Sequence, residues 1–223
     1  MDARYARNIP ALTEAECALL RNKQVAVIGC GGMGGHLIDQ LARIGIGSIR
    51  AVDGDVFEAS NLNRQLLSEV PLLGAGKART ASHRILRVNP DVKVQAVEAF
   101  LTQDNARDLV SGCNAVLDGL DNIESRKILA AACAAENVPY IYGAISGWVA
   151  QAAISMPGDG LVERLYPEGT LIRDKSVLSF TPALCASMQV SLCIRLLLER
   201  PVETGTISYF DLQNLEFETI PML

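Results

Sequence analysis

The sequence predicts an α/β domain: a doubly wound, mainly parallel sheet with helices on both faces, extended by antiparallel strands near its C-terminus. Two observations predict it. Short apolar runs alternate with helical patterns through the first two thirds of the chain, and such alternation specifies parallel strands joined by right-handed crossovers. After Gly147 the pattern changes: residues 148–155 alternate like a strand and residues 206–220 suggest a hairpin, which adds antiparallel strands. With 223 residues, 49% of them hydrophobic, one substantial core is expected. Residues 1–223 are therefore read as a single domain, with 1–22 an N-terminal arm and helix and 156–178 a crossover loop.

Taken in order, Thr13-Glu14-Ala15-Glu16 has the form of a capping box, so a short helix is expected to about Leu20. Residues 24–28 form an apolar run read as a buried strand, meeting a glycine cluster that opens a helix to about Ile46; residues 49–52 supply a second strand. Residues 54–73 are loop-like and polar at their centre. Chemistry is expected there, because long connections inside compact domains are usually functional. Residues 77–88 read as a helix stopped by Asn89-Pro90. Strands at 92–97, 115–117 and 139–142 then alternate with helices at 105–110 and 123–135. Residues 157–177 look irregular, and 182–198 form a long apolar helix.

Composition narrows the function classes. The net charge is −5 with no basic block or aromatic-studded basic stripe, so no nucleic-acid partner is expected. No apolar run is read as a signal-peptide core or membrane span, and a cytoplasmic protein without a membrane partner is expected. The six cysteines (Cys17, Cys30, Cys113, Cys133, Cys185, Cys193) are scattered without a C-x-x-C pair, beside only two histidines, His36 and His83. That argues against a zinc ribbon or a disulfide framework and for buried thiols.

Gly29-Cys30-Gly31-Gly32-Met33-Gly34 satisfies G-x-G-x-x-G between a predicted strand and a predicted helix, a Rossmann-like arrangement. Gly29, Gly31, Gly32 and Gly34 would permit a tight turn and let a phosphate approach backbone at a helix N-terminus. Asp53, at the end of the second strand, is placed to accept from ribose hydroxyls. Together they indicate an adenine nucleotide, ATP or NAD. Gly74-Ala75-Gly76-Lys77-Ala78 is not a P-loop, since Pro71 takes the first glycine position and Ala78 the magnesium-binding Ser/Thr position.

Beyond Asp53 come Asp55, Asn61, Arg64, Gln65 and Lys77, hydrogen-bonding and cationic groups gathered in one segment. A triphosphate about to lose pyrophosphate needs such groups to offset developing charge, whereas hydride transfer does not. Asn61, Arg64 and Lys77 are the phosphate-contact candidates. Asp118 and Asp121 follow a buried strand at the carboxyl edge of the predicted sheet, where a carboxylate could hold Mg2+ against phosphates; Asp121 is preferred.

In order along the chain, these residues resemble the ThiF, MoeB and HesA family of ubiquitin-activating-enzyme-like adenylyltransferases. The resemblance rests on Arg4-Tyr5-Ala6-Arg7-Asn8, the glycine turn with Asp53, Asp55-Val56-Phe57, Ser60-Asn61-Leu62-Asn63-Arg64-Gln65, Gly76-Lys77-Ala78, and Leu120-Asp121-Asn122 with Arg126. It implies ATP-dependent adenylation of the C-terminal glycine carboxylate of a small ubiquitin-like sulfur carrier ending in Gly-Gly. It further implies ribose at Asp53, phosphates at Asn61, Arg64 and Lys77, Mg2+ at Asp121, and Asp55, Gln65, Leu120 and Asn122 lining the nucleotide. Arg7 would reach the phosphates of a neighbouring subunit, which implies a homodimer. The catalytic set is then Arg7, Arg64, Lys77 and Asp121.

Two departures are visible. Many members hold structural zinc with paired C-x-x-C motifs, absent here, so a zinc-free subgroup is implied. Many also carry a cysteine in the crossover region, and residues 157–184 have none, which leaves adenylation alone as the expected chemistry. Glu163, Arg164, Arg173 and Lys175 are possible partner contacts on that loop, although solvated charge also explains them. Three other functions fit the same fingerprint: adenylation of a non-protein group such as tRNA threonylcarbamoyladenosine, NAD-dependent oxidation, and silent nucleotide binding.

Overall fold

The computed structural model describes residues 2–171 and 176–222. Among them one eight-stranded sheet runs in the order β3-β2-β1-β4-β5-β6-β7-β8. Strands β1 (Gln24–Ile28), β2 (Ser48–Val52), β3 (Lys93–Val97), β4 (Ala115–Asp118) and the start of β5 (Tyr140–Ser146) are parallel. Strands β6 (Val149–Ser155), β7 (Thr206–Asp211) and β8 (Glu216–Pro221) continue the sheet antiparallel. This is the doubly wound, antiparallel-extended α/β architecture expected from the alternation of apolar runs.

The helices follow from the same patterning. The capping box at Thr13 is complete, its hydroxyl accepting from Glu16 N and Glu16 accepting from Thr13 N, and it starts α1 (Glu14–Leu20). The glycine cluster opens α2 (Gly32–Ile44), which ends two residues earlier than expected because the chain turns at Gly45 and returns Ile46 N to Leu41 O. Then come α3 (Lys77–Val88), α4 (Ala106–Val110) and α5 (Ile123–Ala135), the last capped by Asn122 accepting from Ser125 N.

The crossover segment differs from expectation in one place: α6 (Leu161–Leu165) interrupts it. Asp159 makes this helix by accepting from Met156 N and Leu161 N, and Leu161 and Val162 enter the core beneath. Five residues are too few to register as a helical period. Arg173 and Lys175 lie outside the described residues.

The last helix, α7 (Phe180–Leu197), is long and apolar enough to cross a membrane, contrary to the sequence expectation. Ser187, Gln189 and Ser191 break the run without lowering its average enough. Half of the helix is buried inside the domain, where Cys193, Ile194 and Leu197 join the core shared with α2 and β1.

Two apolar layers sandwich the sheet. One side gathers Leu37, Leu41, Ile85 and Ala186 against Val25, Val27 and Leu117; the other gathers Val110, Leu129 and Cys133 against Ala26, Val116 and Tyr140. Strand alternation thus divides β1 and β4 between both layers.

Candidate active site

The site lies where β1 and β4 end side by side. Gly29 (φ 93°) and Gly119 meet so closely that a Cβ on Gly119 would fall 2.4 Å from Gly29 O, and one on Gly34 would fall 1.9 Å from the same oxygen. No other residue fits there without moving backbone. Gly119 N donates to Ile28 O at 2.8 Å, tying the loop after β4 to the glycine turn. Gly34 and Gly29 were legible in the fingerprint; Gly119 was not, because the approach it permits joins residues far apart in sequence.

Asp53 reaches the turn directly. Its Oδ2 accepts from Cys30 N at 2.7 Å and its Oδ1 from Asp55 N at 2.9 Å, so the carboxylate fixes the turn while keeping further lone pairs for a ribose.

The segment 54–73 folds back across the α2 N-terminus. Gln65 Nε2 lies 3.5 Å from where a Gly31 Cβ would be, and Arg64 Cγ 3.9 Å from the equivalent point at Gly32. Arg64 is half-buried, its guanidinium donating through Nη1 to Ser60 O at 2.8 Å and Asn63 Oδ1 at 3.0 Å, which leaves most of its five donors for an anion. Gln65 is buried, and its Oε1 is a buried acceptor without a hydrogen-bond partner. An orphaned amide oxygen beside a glycine turn suits a ligand that brings a donor such as a hydroxyl or amine, while the Nε2 of Gln65 faces Gly31.

Lys77 heads α3 and is buried, its Nζ 2.5 Å from Asp55 Oδ2. That hydrogen bond from Lys77 is the main cause holding the Asp55 carboxyl below its ordinary range, against a smaller push upward from burial. Asn61, expected at the phosphates, turns inward instead: its Oδ1 accepts from Glu58 N at 3.0 Å and its Nδ2 donates to Ser60 Oγ at 3.4 Å. In this conformation it shapes the loop.

On the other flank, Asp118 and Asp121 take separate roles. Asp118 is fully buried and ion-paired with buried Arg126 at 3.0 Å, and Tyr140 Oη donates to it at 2.6 Å. Asp121 is exposed at the crevice, touched by Asn122 Nδ2 at 3.2 Å. Its carboxylate therefore suits Mg2+, which takes one or two protein oxygens and fills its shell with phosphates and water.

Several supporting residues were not foreseen. Gln189, buried on α7, donates through Nε2 to Asp118 O and Ile141 O, closing the gap between β4 and β5. A polar residue inside an apolar helical stripe was its only signal. Tyr142 and Tyr166 share a hydrogen bond of 2.6 Å, and Gln151 Nε2 donates to Tyr142 Oη at 2.8 Å. Strand β5 runs on five residues past Ile141, the last partner of β4, so the β5–β6 hairpin overhangs the crevice by about 16 Å. At its tip Trp148 packs on Phe180, ring centroids 5.1 Å apart.

Arg7 stands apart. It is exposed in a 3-10 helix (Ala3–Asn8) that packs at the far end of α2, where Asn8 Nδ2 donates to Ile44 O and Tyr5 abuts Gly45. The 13 residues of α2 separate it from the glycine turn of its own chain by about 20 Å. Two half-open hollows, about 220 and 380 Å3, also lie away from the turn, one beside Cys133 and Asp159, the other beside Tyr5 and Arg21.

The thiols are closed off. All six cysteines are buried, and burial pushes Cys185 and Cys193 up to about 12.

A glycine turn with its acid, a polar segment folded over it and an exposed carboxylate opposite define an α/β protein of the nucleotide-binding type. The chain belongs to the ThiF family, whose profile matches residues 5–222. It is 34% identical to the SAMP-activating enzyme E1 of Haloferax volcanii, covering 98% of this chain and 84% of that one. It is 28% identical to the sulfur carrier protein ThiS adenylyltransferase of Escherichia coli, covering 91% and 83%. The fold matches Escherichia coli MccB crystallised with MccA-N7isoASN, with a TM-score of 0.86 at 19% identity over 100% of this chain and 72% of that one.

Proposed function

We propose that this chain is an ATP-dependent adenylyltransferase that activates the C-terminal glycine carboxylate of a small ubiquitin-like sulfur carrier. The observation that supports the reading is the Arg64 side-chain stem beside Gly32 and the Gln65 amide beside Gly31, within reach of the helix N-terminus that a polyphosphate would cross. Relatives named for SAMP activation and for ThiS adenylylation support the carrier class.

One carboxylate oxygen of the carrier attacks the α-phosphorus. The new bond is the acyl–phosphate linkage, the broken one joins the α-phosphorus to the bridging oxygen, and pyrophosphate leaves with that electron pair. No general base is required, because a C-terminal carboxylate is ionised near neutral pH. The work is positioning and charge neutralisation. Asp53 would hold the ribose, Arg64 and Lys77 the phosphates, and Asp121 a Mg2+ that neutralises charge on the leaving pyrophosphate. Arg7 would serve the site of a second subunit, since its own lies at the other end of α2.

ATP–pyrophosphate exchange is the test. It should require a carrier ending in Gly-Gly and collapse in Arg64→Ala and Asp121→Asn. Exchange indifferent to both substitutions, or tight binding of NAD without ATP, would refute the reading.

A further inference from the structure

Asp121 hangs between two fixed points. On its C-terminal side Asn122 Oδ1 accepts from Ser125 N at 2.9 Å and is thereby anchored to α5. On its N-terminal side both backbone groups of Leu120 are taken by one buried ion pair. Leu120 N donates to Asp118 Oδ1 at 2.8 Å, and Arg126 Nη2 donates to Leu120 O at 2.8 Å. The same guanidinium donates through Nε to Asp118 Oδ2 at 3.0 Å and through Nη2 to Gly143 O at 3.2 Å, so its plane is set by β4 and β5 together.

Resting on the adenylyltransferase reading, we propose that Arg126, through Asp118 and Leu120, is the positioning residue that holds Asp121 where it can bind magnesium. Arg126 is 3% exposed, and its guanidinium is committed to Asp118, Leu120 O and Gly143 O inside the sheet edge, so it acts on the crevice through these partners. Its charge is secured. Burial opposes the guanidinium's ionised form, but Asp118 and the surrounding tyrosine oxygens outweigh that and leave it more strongly protonated than usual. A partner that fixes the backbone of a metal-binding residue acts on metal affinity as an outer-sphere ligand partner does, and losing one typically costs about 10–100-fold.

Two variants separate positioning from simple support of the fold. Arg126→Lys keeps a positive charge opposite Asp118 but lacks the planar fork that holds Leu120 O and Gly143 O at once. Tyr140→Phe removes a bond to Asp118 without touching Leu120. ATP binding is followed by calorimetry across a magnesium chloride series, alongside thermal melting. Both variants should melt lower than the parent chain. Only Arg126→Lys should need about ten-fold more magnesium for half-maximal ATP binding, with ATP affinity at saturating magnesium within about two-fold of the parent.

An unchanged magnesium requirement in Arg126→Lys, or an equal shift in Tyr140→Phe, overturns the proposal. If Arg126→Lys does not fold, hydrogen exchange on the unaltered chain decides. A protected Leu120 amide beside a fast-exchanging Asp121 amide supports the grip, and an unprotected Leu120 amide overturns it. Failure of the underlying reading looks different: the unaltered chain would then bind no ATP, or bind it without regard to magnesium.

Discussion

Lys77 is buried against Asp55, and that pairing explains how an ammonium can wait inside a crevice before its substrate arrives. An unpaired buried cation would be costly, so Asp55 neutralises it until phosphate oxygens compete for it. Removing the donor by Lys77→Ala should lower pyrophosphate exchange by about 10²–10³-fold with a smaller change in ATP binding, read from kcat and KM separately. The pairing also sets a pH dependence. Asp55 is held below its ordinary value in the folded chain, so the unfolded chain takes up its proton first as pH falls. Its stabilisation is complete above about pH 4 and lost as pH falls through the lower folded value. Asp55→Asn should therefore remove part of the acid-side loss in a series of denaturant melts, a small part because the carboxylate is half exposed. At this scale the sequence showed which residues cluster but not which way they face: Lys77 pairs with Asp55, Arg64 bonds back to Ser60 and Asn63, and Asn61 accepts from Glu58 N.

Among elements, most boundaries were legible wherever the signal was local. Thr13 and Asn122 cap α1 and α5 as their types require, and Asn89-Pro90 ends α3. What escaped was built across elements. The Asp118–Arg126–Tyr140 cluster joins β4, α5 and β5, and Tyr166 at the end of α6 adds a contact of 3.4 Å to Arg126. No window along the chain contains that cluster, although Tyr140 and Tyr142 at alternate strand positions mark a shared face. The glycine junction makes an element-scale prediction. Gly34→Ala must push α2 away from β1, so it should lower stability by about 1–3 kcal/mol and weaken ATP binding, measured by melting and calorimetry on the same preparation.

For the whole molecule, the distance between Arg7 and its own glycine turn fixes what assembly must supply. If Arg7 serves a second copy, Arg7→Ala and Asp121→Asn damage different halves of one composite site. Mixing the two inactive variants should then restore about a quarter of the parent activity, since half of randomly paired dimers are mixed and each carries one intact site. No recovery on mixing, under conditions where subunits exchange, would confine each site to one chain. The burial of every cysteine carries its own consequence. Alkylating reagents should leave turnover intact while the chain stays folded, and an activated carrier would depart as a mixed anhydride. Any sulfur it later bears would be delivered by a different polypeptide.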